Sequence, residues 1–469
     1  MKIVFVQKLS LFLIGTASIS AFIKSKGHDC DVLLAGEEKN LINKLKTLSP
    51  DIIGFSCTTG EHNWVLEVAK KIKEAMDVPI ILGGPHPTFF PEIIDDPNID
   101  IICIGEGEHA ALELLNKMEK GEDIRNIKNL WVKKHNKIFK NPLRPLIQNL
   151  DELPYPDREI YYKYKFLREL NLKNFISGRG CPYNCTFCFN HALKQIYSNK
   201  GTYVRKRSVD NLIKEILEVK EKYGMNHITF SDDTFILDRD WLKQFLLEYK
   251  KRVNIPFSCN IRANLIDEEI VKLLKEANCY VAAMGVETGD ESIRNNILKK
   301  GITNEQIRNT ARLLKKYKIR FKTFNMIALP EESFEETLKN MDLNIEIKPS
   351  IATCSVLQPY PKLEVTEYCM KHGFLDSDYC VSDFGISRSD KILTPLKIKD
   401  KKKFENLQCF YSLVIQFPFL RAIVKSLVNL PPNKGFKLIE KLTYGILSIR
   451  LYKFGVRDSM NLALKSGYL

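Results

Sequence analysis

The chain has 469 residues, 44% hydrophobic and 27% charged, with 12 cysteines and a net charge of +14. It is too long for one ordinary core and too sparse in cysteine for a disulfide scaffold, which points to two or three domains of a globular protein with free thiols. No run of about 18 uninterrupted apolar residues appears, and a strand-like "KIVFVQ" follows Met1 where a leader would stand, so a cytoplasmic chain without a membrane span is expected.

Residues 1–145 alternate short apolar runs with helical stretches. "KIVFVQ", "CDVLLA", "DIIGFSCTTG", "VPIILGGPHPT" and "DIICIGEGE" are separated by amphipathic segments such as "NWVLEVAKKIKEAM". Such a pattern predicts a parallel sheet with ligand sites at the carboxyl ends of its strands. Those ends carry Ser56, Thr58, Thr59, Gly83, Gly84, His86, Gly105, Glu106 and Gly107. Hydroxyls and glycines suit close approach to a bulky ligand, although plain turn chemistry accounts for them equally well. Residues 146–172, with the proline-containing "NLDELPYPDREIYYKY", read as a linker.

From 173 to 375 about six strand–helix units follow, predicting a partial (β/α)6 barrel with its site at the strand carboxyl ends. Helices are expected near 208–223, 239–251, 267–277, 303–317 and 333–346, and the strands include "HITFSDDTF", "FSCNIRA", "YVAAMGVETG" and "RFKTFNMIALP". Residues 376–469 form a mainly helical, basic region. From Lys391 onward 15 Lys+Arg face 4 Asp+Glu, a net of +11, so most of the excess charge lies there. A helical lid with a solvated lysine face, contact with an anionic membrane, or contact with RNA phosphates could each use it. No interleaved aromatic and basic motif favours nucleic acid.

Cys181, Cys185 and Cys188 stand in "GRGCPYNCTFCFNH", where Pro182 and the flanking glycines dictate a loop. Three thiolates can hold zinc, with His191 completing a Cys₃His set, or an iron–sulfur cluster with one iron left open. The CxxxCxxC spacing, with Phe187 before the last cysteine, resembles the signature of radical S-adenosylmethionine (SAM) enzymes. That resemblance implies a [4Fe-4S] cluster on the three cysteines, with SAM chelating the open iron and cleaved by one electron to methionine and a 5′-deoxyadenosyl radical. It extends to "ITFSDDTF", where Ser231, Asp232 and Asp233 would face the methionine part of SAM, although Asp233 could as easily cap the following turn. In "NIRAN", Arg262 would lie near its carboxylate, and in "MGVETG" Glu287 would meet its ribose or amino group. "NMIALPEESFEETL" resembles a segment whose backbone, at Ile327, flanks adenine, although Ala328 and Glu331 stand where glycines are common. Phe187 is expected beside the same cofactor.

Residues 1–145 are similar to the cobalamin-binding, Rossmann-like domain of one radical SAM subgroup. The resemblance implies an α/β chain in which the strand-end residues named above line a corrin site, with His86 lining the pocket rather than binding cobalt. It also implies methyl transfer to an unactivated carbon or phosphorus of an unknown small-molecule, lipid or peptide substrate, with a one-electron donor such as flavodoxin or ferredoxin. A cobalamin-linked oxidation, cyclisation or rearrangement is the alternative. A tRNA methylthiotransferase would need three more clustered cysteines, and Cys30, Cys57 and Cys103 do not match that spacing. A zinc-stabilised binding module is the non-enzymatic alternative.

Overall fold

A computed structural model of the chain describes residues 1–381 and 394–452. They form two compact units, one of Met1–Glu169 with Tyr197–Tyr203, the other of Leu170–Ile196 with the described residues from Val204 onward. The remainder of the basic C-terminal region lies outside the described residues.

The first unit runs β1 (Lys2–Gln7), α1 (Ile14–Lys24), β2 (Asp29–Leu34), α2 (Leu41–Leu48), β3 (Ile52–Ser56), α3 (His62–Ala75), β4 (Ile80–Gly83), α4 (Pro85–Phe89), β5 (Ile101–Cys103) and α5 (Glu108–Glu119). Its strands pair in parallel in the order β2-β1-β3-β4-β5. Unbroken apolar runs are what a parallel sheet buried on both faces requires, and Val4, Ile53, Leu82 and Ile102 are fully enclosed. An antiparallel hairpin, β6 (Leu130–Lys134) and β7 (Lys137–Lys140), extends the sheet beyond β5. The sequence does not announce it, because its turn places His135 and Asn136 at positive φ where an Asn-Gly pair would be the usual signal.

The stretch expected as a linker carries α6 (Glu159–Tyr162) and α7 (Lys165–Arg168), and it is tied to the first sheet. The Tyr161 hydroxyl donates to Gln7 Oε1 at 2.9 Å. Asp157 accepts from the Ser20 hydroxyl at 2.7 Å and pairs with Lys24 at 2.8 Å. Tyr164 donates to Glu38 at 2.6 Å.

In the second unit β8 (Leu172–Phe175) leads into a short antiparallel pair, β9 (Gly178–Arg179) and β10 (Arg205–Lys206), which brackets α8 (Phe189–Ile196). The sheet continues through β11 (His227–Phe230), β12 (Phe257–Ile261), β13 (Cys279–Glu287), β14 (Arg320–Ile327) and β15 (Ile351–Val356). Among the described residues these are six parallel strands in the order β8-β11-β12-β13-β14-β15, the open arc of a partial barrel. The helices between them are α9 (Val209–Tyr223), α10 (Arg239–Arg252), α11 (Glu268–Glu276), α12 (Asn304–Lys316) and α13 (Phe334–Ile347). Each begins after a capping residue whose side-chain oxygen accepts from the backbone N–H three positions on: Ser208, Asp238, Asp267, Thr303 and Ser333. Thr303 and Ser333 complete capping boxes with Gln306 and Glu336.

Beyond the sheet lie α14 (Glu364–Lys371), α15 (Lys401–Gln416), α16 (Arg421–Leu427) and α17 (Lys434–Tyr452). An exposed outer edge of β15 would be a template for aggregation. Here Gln408, Ser412 and Gln416, one turn apart on α15, donate to the carbonyls of Cys354, Ala352 and Pro349. Phe410, Tyr411 and Val414 of the same helix are buried against Ala352.

Candidate functional site

The thiol loop is held by its neighbours in the second unit. Thr186 donates through its backbone to Leu298 O at 3.1 Å and through its hydroxyl to Ile297 O at 2.8 Å, while its carbonyl accepts from Val365 N–H at 3.2 Å. Cys185 is buried, and Cys181 and Cys188 are half-buried. Burial, followed by the charge of nearby Asp233, raises the pKa of both half-buried thiols, and each also feels Cys185. Without metal these two thiols therefore keep their protons; coordination would displace them.

His191 is directed away from the fourth-ligand role that a zinc site requires. It contacts Asn184 at 3.2 Å, Gln195 at 3.3 Å and Glu364 at 3.3 Å. Among the described residues no three His, Cys, Asp or Glu side chains are grouped tightly enough to grip one metal ion. A cubane cluster instead spreads its thiolates over separate irons, so its ligands stand wider apart than those sharing one ion.

Two adjacent acids at the end of β11 face different tasks. Asp232 is buried and engaged: it accepts from Ser177 N–H at 2.9 Å, from the Ser177 hydroxyl, and from Lys206 at 3.2 Å. It thereby fixes the chain just before Cys181. Asp233 is solvent-accessible yet crowded, and desolvation followed by repulsion from Asp232 raises its carboxyl pKa. Asp233, ranked below Asp232 from the sequence, is the acid beside the thiols. Both line a cleft with Gly178, Gly180, Arg205, Lys206 and Thr234. Ser231 is exposed at its rim, its N–H bonded to Phe175 O at 2.8 Å.

Arg262, just past β12, lies with its guanidinium 3.6 Å over the Tyr183 ring and 3.9 Å from Cys185 Sγ. It donates to Lys300 O, but its buried Nε has no partner. A buried donor left unmade costs about 1–3 kcal/mol, a cost that an acceptor on a bound ligand at this corner would relieve. Glu287 ends β13 at φ 63°, a left-handed conformation rare for a non-glycine residue and typical of functional sites. Its carboxylate accepts from Lys300 at 2.6 Å, and both side chains are about nine-tenths buried. Lys300 also lies 5.8 Å over Phe187. A β-carbon on Gly285 would fall 2.0 Å from Glu287 Oε1 and 2.6 Å from Lys300 Nζ, so only glycine leaves room for this pair.

One fully enclosed group, Arg294, completes the corner without a sequence signal, since nothing in a single sequence tells a buried cation from a solvated one. Arg294 bonds Val286 O at 3.0 Å, Ile302 O at 3.1 Å, Thr288 O and Asn304, gripping the backbone on both sides of Glu287. Ile327 is buried at the end of β14, and its carbonyl accepts from Leu357 N–H at 3.0 Å. Ala328 and Glu331 take φ 61° and 65°, the conformation for which glycines are common there.

On β14, Phe321, Thr323, Asn325 and Ile327 are buried, while Lys322, Phe324 and Met326 on the opposite face are half-buried. The Lys322 ammonium rests 4.6 Å over Phe324, and burial lowers its pKa to about 8. Because the folded value lies below the unfolded ~10.4, charging Lys322 opposes folding below pH 8, and this penalty disappears as pH rises from about 8 to ~10.4. Lys322→Met is expected to raise the thermal midpoint at pH 7, by the equivalent of about 3 kcal/mol, and to lose most of that advantage near pH 10. Melting curves at both pH values check it.

In the first unit the expected corrin residues gather at one edge. Ser56 and Gly83 end the adjacent strands β3 and β4; Thr58, Thr59, Gly84 and His86 follow them, and Gly105, Glu106 and Gly107 follow β5. Gly84 has φ 94°, and a β-carbon there would lie 2.9 Å from the Cys57 backbone. His86 is 2% exposed, stacked 4.4 Å from His62 and bonded through Nδ1 to Thr59 at 3.1 Å; it is packed under the rim. Glu106 accepts from Ile147 N–H at 3.0 Å, which fixes the loop. Cys30 begins β2, whereas Cys57 and Cys103 lie at the carboxyl ends of β3 and β5, so opposite edges of a parallel sheet separate them.

Residues 175–343 match the Radical SAM superfamily model, and residues 3–115 match the B12 binding domain model. The chain is a radical SAM enzyme with a B12-binding domain. It is 29% identical to an uncharacterized methyltransferase of Pyrococcus horikoshii over 77% of this chain and 79% of that protein. It is 24% identical to cytidylyl-2-hydroxyethylphosphonate methyltransferase of Streptomyces wedmorensis, over 73% and 70% respectively. Its fold is similar to that of the cobalamin-dependent SAM radical enzyme OxsB, solved with aqua-cobalamin and SAM bound (TM-score 0.69, 16% identity, 98% of this chain and 74% of that one). The radical SAM domain holds the thiol loop, Arg262, Glu287 and Lys300; the B12-binding domain holds the glycine-rich rim. Both donor sets fit their groups: three soft thiols beside an orphaned arginine nitrogen, and a rim of hydroxyls and backbone groups that a β-carbon at Gly84 would disturb.

Proposed function

We propose that this radical SAM enzyme is a cobalamin-dependent methyltransferase acting on an unactivated carbon or phosphorus. The observation that carries the proposal is the presence, in one chain, of a three-thiol loop and a B12-binding domain. Its similarity to two methyltransferases supports the methyl-transfer outcome. When bound, the cluster supplies the electron that splits the sulfonium of SAM, and the corrin supplies a methyl carrier.

The chain's residues hold and orient. Cys181, Cys185 and Cys188 would ligate three irons and leave the fourth for SAM. Arg262 Nε is placed to donate to a carboxylate, Asp233 to accept from an ammonium, and the Glu287–Lys300 pair to bond ribose hydroxyls. Asp232, consumed by Ser177 and Lys206, acts as a positioning residue for the loop. The hydroxyls of Thr58 and Thr59 and the backbone at Gly83, Gly84 and Gly105 would bond corrin amides. The low exposure of Arg262, Glu287 and Lys300 keeps water from the cleavage site.

Product accounting tests this without a known substrate pool. Methyl transfer consumes two SAM molecules per turnover, so extracts that support turnover are expected to yield S-adenosylhomocysteine and 5′-deoxyadenosine in equal amounts, with methyl label in the product. 5′-Deoxyadenosine alone, with an unlabelled product, would assign a radical oxidation, cyclisation or rearrangement instead.

A further inference from the structure

Large apolar side chains are exposed at eight described positions, and seven lie between Phe417 and Ile446. One exposed leucine means nothing, because every protein surface carries some; this concentration between Phe417 and Ile446 does. Helix α17 explains how it arises. Phe436 and Ile439 pack toward α15, and Leu447 and Leu451 pack on Val281 and Ile351 of the sheet. Leu438, Leu442 and Ile446, each one turn from the next, stand out on another face with about half their surface in water. Phe419, 76% exposed and edge-on to Phe417 across Pro418, projects from the turn before α16, and Ile423 follows on that helix.

Cations surround this stripe. Lys434 and Lys441 are exposed, and Lys437 and Arg450 belong to the same helix. The only acid of α17, Glu440, is half-buried and hydrogen-bonded with Cys409 on the packed side. An apolar face rimmed by lysine is the pattern of a helix lying in the plane of a bilayer, its hydrocarbon side in the acyl boundary and its cations among anionic headgroups. No described helix is long and apolar enough to cross a membrane.

We propose that α16 and α17, with the Phe417–Phe419 turn, form a docking surface for anionic lipid bilayers. Charge complementarity selects this occupant. A second copy placed face to face would set one lysine-rimmed surface against another, and nucleic acid offers phosphates but no apolar phase for the leucine stripe. The surface is independent of the reaction proposed above, because none of its residues belongs to the cofactor sites.

Flotation of the anaerobically reconstituted full-length protein with vesicles tests it. Vesicles containing phosphatidylglycerol are expected to carry the protein up the gradient, and pure phosphatidylcholine vesicles to carry at least about tenfold less. Raising the salt should release it. Leu438→Ser/Leu442→Ser/Ile446→Ser and, separately, Lys434→Glu/Lys441→Glu should each lower binding about tenfold while leaving circular dichroism, melting and SAM cleavage unchanged. Failure of the wild type to float with anionic vesicles, or equal flotation of wild type and both variants, overturns the proposal. A stable dimer that the serine variant converts to monomer, without vesicle binding, would give the surface to a second copy.

Discussion

Alanine at Cys181, Cys185 and Cys188 together is expected to lower bound iron from about four per chain to none and to abolish the absorbance near 400 nm. The fold should survive, because the loop's anchors are not thiols: Thr186 holds Ile297 and Leu298, and Asp232 holds Ser177. Removing two half-buried thiols and one buried one near an arginine also relieves polar crowding, so the melting temperature of the metal-free variant should stay within a few degrees of the metal-free parent. Single replacements are expected to be nearly as severe, since a cubane with two protein ligands is labile. Iron analysis and visible spectra after anaerobic reconstitution measure this directly.

Arg294→Met is expected to have the largest effect on stability of any single change in the radical SAM domain. The guanidinium is fully enclosed, and its pKa is depressed to about 10 by burial, so it remains charged at neutral pH. Methionine fills much of the volume but leaves the carbonyls of Val286, Thr288 and Ile302 without their donors. Losing such a network costs about 3–5 kcal/mol, or roughly 10 °C in the unfolding midpoint of a domain this size. Binding should suffer separately, because Val286 and Thr288 flank the left-handed Glu287. At a temperature where the variant is folded, SAM affinity is expected to fall about tenfold, measured by calorimetry on reconstituted protein.

Sequence and structure agree most closely where local chemistry decides the outcome. Ser208, Asp238, Asp267, Thr303 and Ser333 start helices because their side chains cap the first turn, and the parallel strands are legible as unbroken apolar runs. The thiol spacing is legible because few other purposes place three cysteines in eight residues around a proline. Ala328 and Glu331 stood out only as departures from an expected glycine, and their positive φ shows that the backbone keeps the glycine conformation regardless.

What was not legible depends on long-range contacts. Asp232 and Asp233 follow β11 in a loop, and only the positions of Ser177, Lys206 and the thiols decide which acid is consumed. Arg294 and Lys300 lie in "SIRNNILKKG" and resemble solvated charges until β13 and α12 close over them. His191 has the right spacing for a metal ligand, yet Glu364, 173 positions away in sequence, holds it.

The formation of 5′-deoxyadenosine by anaerobically reconstituted protein, given SAM and a low-potential reductant, tests the role of the thiol loop most directly. The wild type should produce it together with methionine, and the protein lacking all three cysteines should produce none while remaining folded. A colourless, zinc-loaded wild type that leaves SAM intact, or a triple variant that cleaves SAM as well as its parent, would contradict the account.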